Sequence, residues 1–304
     1  MVEIERVLTI KAVKSKVRLD QYIAEQLNRS RNYCSNLIKD SLILVNDKKV
    51  KPSYKVHIDD VIVVKIPKEE PLDLKPANIP LNVVYENDYY IVLDKQPGLC
   101  VHPAPGNKTD TLVNAIINKY KLEDADDLRP GIIHRLDKDT SGLIIVAKNR
   151  EVKEKIAVLF KDRKVEKRYY AICYGNPKWD HIVVENEIGR HPVDRKKMAV
   201  VKNGRLAKSE IWVIKRWENV FLAEIKIYTG RTHQIRVHMS YLGFPLVGDA
   251  VYGNKLSKKI VFPRQALHSY YLSFQCPFVN KLMRFKISFP DDMKNFISKW
   301  SINS

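Results

Sequence analysis

The run from His134 to Lys148 reads H-R-L-D-K-D-T-S-G-L-I-I-V-A-K and sets a cation, Arg135, two residues from a carboxylate, Asp137. In extended chain, residues i and i+2 point the same way. Arg135 and Asp137 can then face one cleft while Leu136 points into the protein. A neighbouring guanidinium favours the ionised form of a carboxylate. The turn formers Thr140, Ser141 and Gly142 follow, then an apolar run over 143–147, long enough for one buried strand. Reactive groups on a loop braced by a core strand are a common setting for function. The same spacing also fits a surface ion pair beside a tight turn.

Two further segments carry chemistry. Lys167-Arg168-Tyr169-Tyr170-Ala171 reads as a strand in which Lys167, Tyr169 and Ala171 share a face; a half-buried strand with tyrosines in the core fits the same pattern. Gly230-Arg231-Thr232-His233-Gln234-Ile235-Arg236-Val237-His238 holds two arginines and two histidines but no acid. Such a cluster needs a phosphate or a carboxylate from elsewhere in the chain. His233 and His238 are five apart, which suits no shared metal on a helix or a strand.

The elements that must position these groups are legible in outline. Leu19, Ile23 and Leu27 recur every four residues, which predicts a helix with one apolar stripe. Ser30 can cap a second helix in which Tyr33 and Leu37 share a face. Residues 42–45 and 61–64 read as strands, with Asn46-Asp47 as a turn. Ten cations (Lys14, Lys16, Arg18, Arg29, Arg31, Lys39, Lys48, Lys49, Lys51 and Lys55) surround these elements. Between 68 and 80 the Pro-rich composition excludes a helix or an inner strand and predicts a semi-extended linker. Further on, 83–86 and 89–93 form a predicted hairpin around Asn87-Asp88. Helices are expected at 111–116 and 151–160, and strands at 169–174, 209–214 and 221–228. The mixture lacks a regular β-α-β period and predicts an α+β fold with a largely antiparallel sheet.

A chain of 304 residues with 45% hydrophobic and 29% charged content suits one or two globular domains. No apolar stretch is long enough to span a membrane, and the first residues do not read as a signal peptide. The four cysteines form no C-x-x-C pair and read as reduced thiols in a cytoplasmic protein. The formal charge of +18 points to a polyanionic partner, nucleic acid first. There is no P-loop, no G-x-G-x-x-G and no metal-ligand spacing, so neither a metal nor a nucleotide cofactor is expected.

The segment around H-R-L-D resembles the signature of the RluA-type pseudouridine synthases. K-x-Y-x-A and G-R-T-H-Q-x-R-V-H resemble the family's next two motifs, in the same order. Lys95-Gln96-Pro97-Gly98-Leu99 with Val101-His102-Pro103, Gly248-Asp249 with Tyr252-Gly253, and Ala266-Leu267-His268 match its flanking pieces. Residues 1–67 resemble the S-four-type RNA-binding domain, with Asp40-Ser41 and Asp59-Asp60 standing where that family often has a glycine. The resemblance implies an N-terminal RNA-binding domain over 1–67, a linker over 68–80 and a pseudouridine synthase domain over 81–304. It implies that Asp137 is the catalytic carboxylate, that Arg236 aligns it, and that Tyr169 faces the base. Arg135 would occupy the space left by a flipped uridine. His134, Lys167, Arg231 and His233 join it as expected RNA contacts, with Arg18, Ser30, Arg31, Lys39 and Asn46 in the N-terminal domain. The implied partner is RNA, most closely large-subunit ribosomal RNA or pre-ribosomal particles, bound by a monomer.

Two other readings share these residues. A non-catalytic RNA-binding or ribosome-assembly factor accounts for the charge but not for Asp137, Tyr169 and Arg236 together in motif. A hydrolase would usually need a second carboxylate, for which Asp139 is the nearest choice.

Overall fold

The computed structural model describes residues 4–27, 29, 31–67, 74–103, 109–120, 130–194, 197–253 and 260–302. The chain forms two compact units, Met1–Asp73 and Leu74–Ser304.

The first unit contains β1 (Ile4–Lys11), α1 (Leu19–Leu27), α2 (Arg31–Lys39), β2 (Ile43–Val45), β3 (Lys48–Lys49) and β4 (Val61–Pro67). Its strands pair antiparallel in the order β1-β4-β2-β3. Alternation along β4 turns Ile62 and Val64 inward against Leu19 and Ile23 of α1 and Leu37 and Ile38 of α2. β1 was not anticipated from the sequence. It is an edge strand with most of its residues exposed, so burial leaves little alternation in it. Ser30, the expected cap of α2, lies outside the described residues. Ser41 and Asp59, where glycine is often found in the resembled domain, have φ of 60° and 70°. The turns therefore keep a left-handed geometry without glycine, at roughly 1–2 kcal/mol each.

The second unit contains β5 (Asn82–Glu86), β6 (Tyr90–Lys95), α3 (Leu112–Lys119), β7 (Ser141–Ala147), α4 (Arg150–Lys161), β8 (Val165–Tyr174), β9 (His181–Arg190), β10 (Met198–Val200), β11 (Arg205–Arg216), β12 (Val220–Ile227), α5 (Gln234–Tyr241), β13 (Leu267–Cys276), β14 (Lys281–Lys286) and α6 (Asp291–Ile302). The sheet runs β10-β9-β11-β12-β8-β13-β7-β6-β5, with β14 paired to β13. Its pairings among the described residues are antiparallel apart from β7 with β13. This is the α+β architecture expected from the sequence. Part of the Pro-rich stretch lies on this unit, where Asn114 Nδ2 donates to Lys75 O at 2.8 Å and Leu74 and Ile79 pack against the core.

The 143–147 run is apolar throughout because both of its faces are covered. Ile144 and Val146 join Ile91, Leu93 and α3 on one side; Leu143 and Ile145 join Tyr90, Val92 and α4 on the other. The parallel junction sets His268 opposite Ser141 and Ser269 opposite Gly142. At Gly142, φ is 114° and a Cβ would collide with the backbone of Ser269. Gly142→Ala is expected to cost more than about 2 kcal/mol, read as a lower denaturant midpoint. An unchanged midpoint would show that the β7–β13 approach can widen freely.

Candidate active site

The H-R-L-D segment leads into β7, and its middle is fixed by Leu136, which is buried in the core, and by Thr140 N–H donating to Asp137 O at 3.1 Å. Asp137 faces a cleft lined by Arg135, Thr140, Tyr169, Arg231, His233 and Arg236. Its Oδ2 accepts from Arg236 Nη1 at 3.0 Å, and His233 Nε2 lies 3.9 Å away. The other edge of the same guanidinium is held by Asp249, with Nε donating to Oδ2 at 2.7 Å and Nη2 to Oδ1 at 2.9 Å. Arg236 thus bridges two carboxylates. Asp249 is fully enclosed, and its Oδ1 also accepts from the backbone N–H of Val251 and Tyr252. Burial works against the charge on Arg236, but the two carboxylates outweigh it and raise its pKa further above the usual value.

The helix carrying Arg236 begins at His233, which adopts a left-handed conformation with φ 56°. Its Nδ1 is 2.9 Å from Tyr252 Oη, which itself accepts from Met198 N–H. The other ring nitrogen, Nε2, is the one that faces Asp137. Burial lowers the His233 pKa, with Asp137 opposing. Tyr169 enters the cleft from β8, and burial pushes its phenol up to about 12. It is a phenol at neutral pH and can donate a hydrogen bond there.

Two buried cations brace the Asp137 loop from behind. Lys95 Nζ donates to the carbonyls of Gln96, Leu99 and Lys138, each at 2.9 Å, and burial lowers its pKa to about 8. Arg264 donates to Asp139 O at 3.0 Å while a bidentate pair with Asp292, at 2.7 and 3.0 Å, ties it to α6. Sequence reasoning gave Lys95, Asp249 and Arg264 no role. Lys95 and Asp249 lay within recognised flanking motifs, which was the available signal; nothing local marks Arg264.

The remaining site residues divide. Arg135 is exposed at the cleft mouth, and Arg231 lines the cleft while its Nε donates to Leu206 O. His134 is held by the fold: its Nε2 accepts from Ile145 N–H at 3.0 Å, its ring stacks on Phe160, and burial lowers its pKa to about 3. That nitrogen is engaged by the β7 backbone, and the half-buried residue also lines a pocket beside Lys167. In the first unit, Asn46 is exposed and clamps a turn, with Nδ2 donating to Asp60 and Oδ1 accepting from Val61 N–H. Arg18 and Arg31 both pair with buried Asp20 yet keep exposed surface, and Lys39 is exposed. Asp139 lines a neighbouring cavity and not the cleft that holds Tyr169. Among the described residues, no cluster of histidine, cysteine and acid could hold a metal, and no helix is long and apolar enough to cross a membrane.

The family model of RNA pseudouridylate synthase matches residues 89–241, which contain Asp137, Tyr169 and Arg236. An RNA pseudouridine synthase of Aquifex aeolicus, itself described as uncharacterized, is 40% identical over 97% of this chain and 98% of its own length. The chain belongs to the RNA pseudouridylate synthase family. It is an isomerase, an RNA pseudouridine synthase, and RNA is its substrate. The S4 domain model matches residues 17–62, inside the first unit. The ribosomal large subunit pseudouridine synthase D of Pseudomonas aeruginosa is 40% identical over 90% of this chain and 89% of its own length. Among solved structures, the human RNA pseudouridylate synthase domain containing 1 gives a TM-score of 0.57 at 22% identity, over 74% of this chain and 96% of that one. At that identity the likeness concerns the fold.

Proposed function

We propose that this synthase isomerises one or more uridines of large-subunit ribosomal RNA, with Asp137 as the catalytic carboxylate. The observation that carries the chemical assignment is the ion pair at 3.0 Å between Asp137 and a guanidinium whose far edge is fixed on Asp249. Such a carboxylate is aligned before substrate arrives, and alignment lowers the barrier to attack or proton abstraction. The ribosomal substrate is suggested by relatives named as large-subunit enzymes.

The reaction breaks the bond from ribose C1′ to uracil N1, turns the base, and joins C1′ to C5. The C5 proton leaves to solvent and N1 gains one, with no net redox change. Asp137 can act on the ribose, act on the base, or take a ribose proton. Tyr169 faces the base from the cleft wall and, as a phenol, can relay a proton late in the reaction. A uridine must leave its stack to reach the cleft, at a few kcal/mol, and Arg135 at the mouth fills the vacated space. Loops and bulges are therefore the favoured targets.

The test is tritium release from C5-labelled large-subunit RNA taken from cells lacking the protein. Release establishes the isomerisation; tight binding without release points to another RNA as substrate. The first unit adds a basic RNA-holding surface, on which Arg31 and Lys39 are exposed and Arg18 half-buried. Deleting residues 1–67 is expected to weaken RNA binding and to flatten its dependence on salt by the phosphate contacts removed. Equal affinity and slope in the shortened chain would rule that surface out. A monomer on size-exclusion chromatography is the expected state.

A further inference from the structure

We infer that a second pocket, beside the uridine cleft, binds a backbone phosphate of the RNA next to the target nucleotide, with Lys167 as its inner cation. This rests on the reading of the cleft as the uridine site. Five cations line the pocket (Arg135, Lys161, Arg163, Lys167 and Arg231), and no aspartate or glutamate does. Arg135, Lys161 and Arg163 are exposed around it, whereas Lys167 is only 9% exposed.

Lys167 differs from the other buried cations of this unit. Lys95 is wrapped by three carbonyls, Arg236 is held by two carboxylates, and Arg264 by one. The Lys167 ammonium meets the ring of Phe160, with 5.3 Å to the centroid, and among the described residues no carboxylate pairs with it. Burial lowers its pKa to about 8. A buried, unpaired ammonium is costly in the free protein, and an incoming anion removes that cost. Phosphate oxygens accept from an ammonium and from guanidinium forks together, which matches this mixture of Lys and Arg.

The location ties this anion to the substrate strand. Arg135, Tyr169, Gly230 and Arg231 line both the pocket and the cleft. Lys167 and Tyr169 lie on one face of β8, separated by the two-residue rise of a strand, roughly 7 Å. A strand with its uridine against Tyr169 has a neighbouring phosphate within reach of Lys167.

Full-length Lys167→Met and Arg163→Gln test the pocket, using transcribed large-subunit ribosomal RNA as the probe. In Lys167→Met, half-saturation for tritium release is expected to rise about tenfold, and the slope of log affinity against log salt to fall by about 0.7–0.9, the share of one phosphate. The loss falls on half-saturation and not on the maximal rate. Arg163→Gln should move both quantities in the same direction by less. Lys167→Met should also melt at or above the wild-type temperature, because it removes an unpaired buried charge. An unchanged slope and half-saturation in folded Lys167→Met would overturn the inference, as would a fall confined to the maximal rate. Should Lys167→Met not fold, an unchanged slope in Arg163→Gln overturns it. A failure of the uridine reading looks different: the wild type would release no tritium, while the salt slopes could still be compared.

Discussion

Asp137→Asn is expected to lower tritium release by about 10²–10⁴-fold while RNA binding stays within a few-fold of wild type. Asparagine keeps the volume of the side chain and an oxygen that can accept from Arg236 Nη1. Arg236 does not depend on that bond for its place, since Nε and Nη2 remain on Asp249 at 2.7 and 2.9 Å. The Asp137 side chain is 18% exposed, so the change leaves neither a void nor an unpaired buried charge. What disappears is the negative charge and the nucleophilic or basic oxygen. The comparison needs wild type and variant at saturating RNA, with binding measured separately by filter retention. Release above a tenth of the wild-type rate would remove Asp137 from the chemistry. Lost binding together with lost release would mean that the variant speaks to the cleft and not to the catalytic step.

The parts of this site that could be read from the sequence are those fixed by short-range geometry. The i, i+2 spacing of Arg135 and Asp137 around Leu136 predicts their common exposure at the cleft, and they share it. The basic segment at 230–238 lacks acids and so calls for a phosphate or for distant carboxylates. Which carboxylates answer is a tertiary matter, since Asp137 is 99 residues from Arg236 in sequence and meets it through packing of the sheet and α5. Two residues carry structural contacts that their motifs do not reveal. The β7 backbone supplies Ile145 N–H to the ring of His134. Asn46 is exposed in its turn, and its amide closes that turn onto Asp60 and Val61. α5 carries buried Gln234, Arg236 and His238 among its apolar residues, so its inward face is partly polar and shows little apolar periodicity. That polar face is the one the site uses.

Asp249→Asn is expected to be the more damaging change to the protein as a whole, costing roughly 3–5 kcal/mol of stability and, in the molecules that remain folded, about 10²-fold in rate. All four groups that Asp249 accepts from are donors: Arg236 Nε and Nη2, and the N–H groups of Val251 and Tyr252. An amide has one accepting oxygen. If that oxygen keeps Nη2 and the two backbone groups, its NH₂ is set against Arg236 Nε, leaving a buried guanidinium half satisfied. Arg236 then has Asp137 as its one charged partner in the site and can pull it from its position, which is why rate falls as well as stability. The pH dependence separates this from simple loss of packing. Burial alone would raise the Asp249 pKa, but the hydrogen bonds and charge of Arg236 outweigh it and hold the carboxyl below its usual range. A folded pKa below the unfolded one contributes stability that is complete above about pH 4 and is lost as pH falls through the folded value. Wild type should therefore lose stability on acidification below about pH 4, and Asp249→Asn should lack that component. Denaturant titrations at pH 7 and across the acid range measure both effects. A loss under about 1 kcal/mol at pH 7 with an unchanged acid profile would mean that Asp137, and not Asp249, is what fixes the guanidinium.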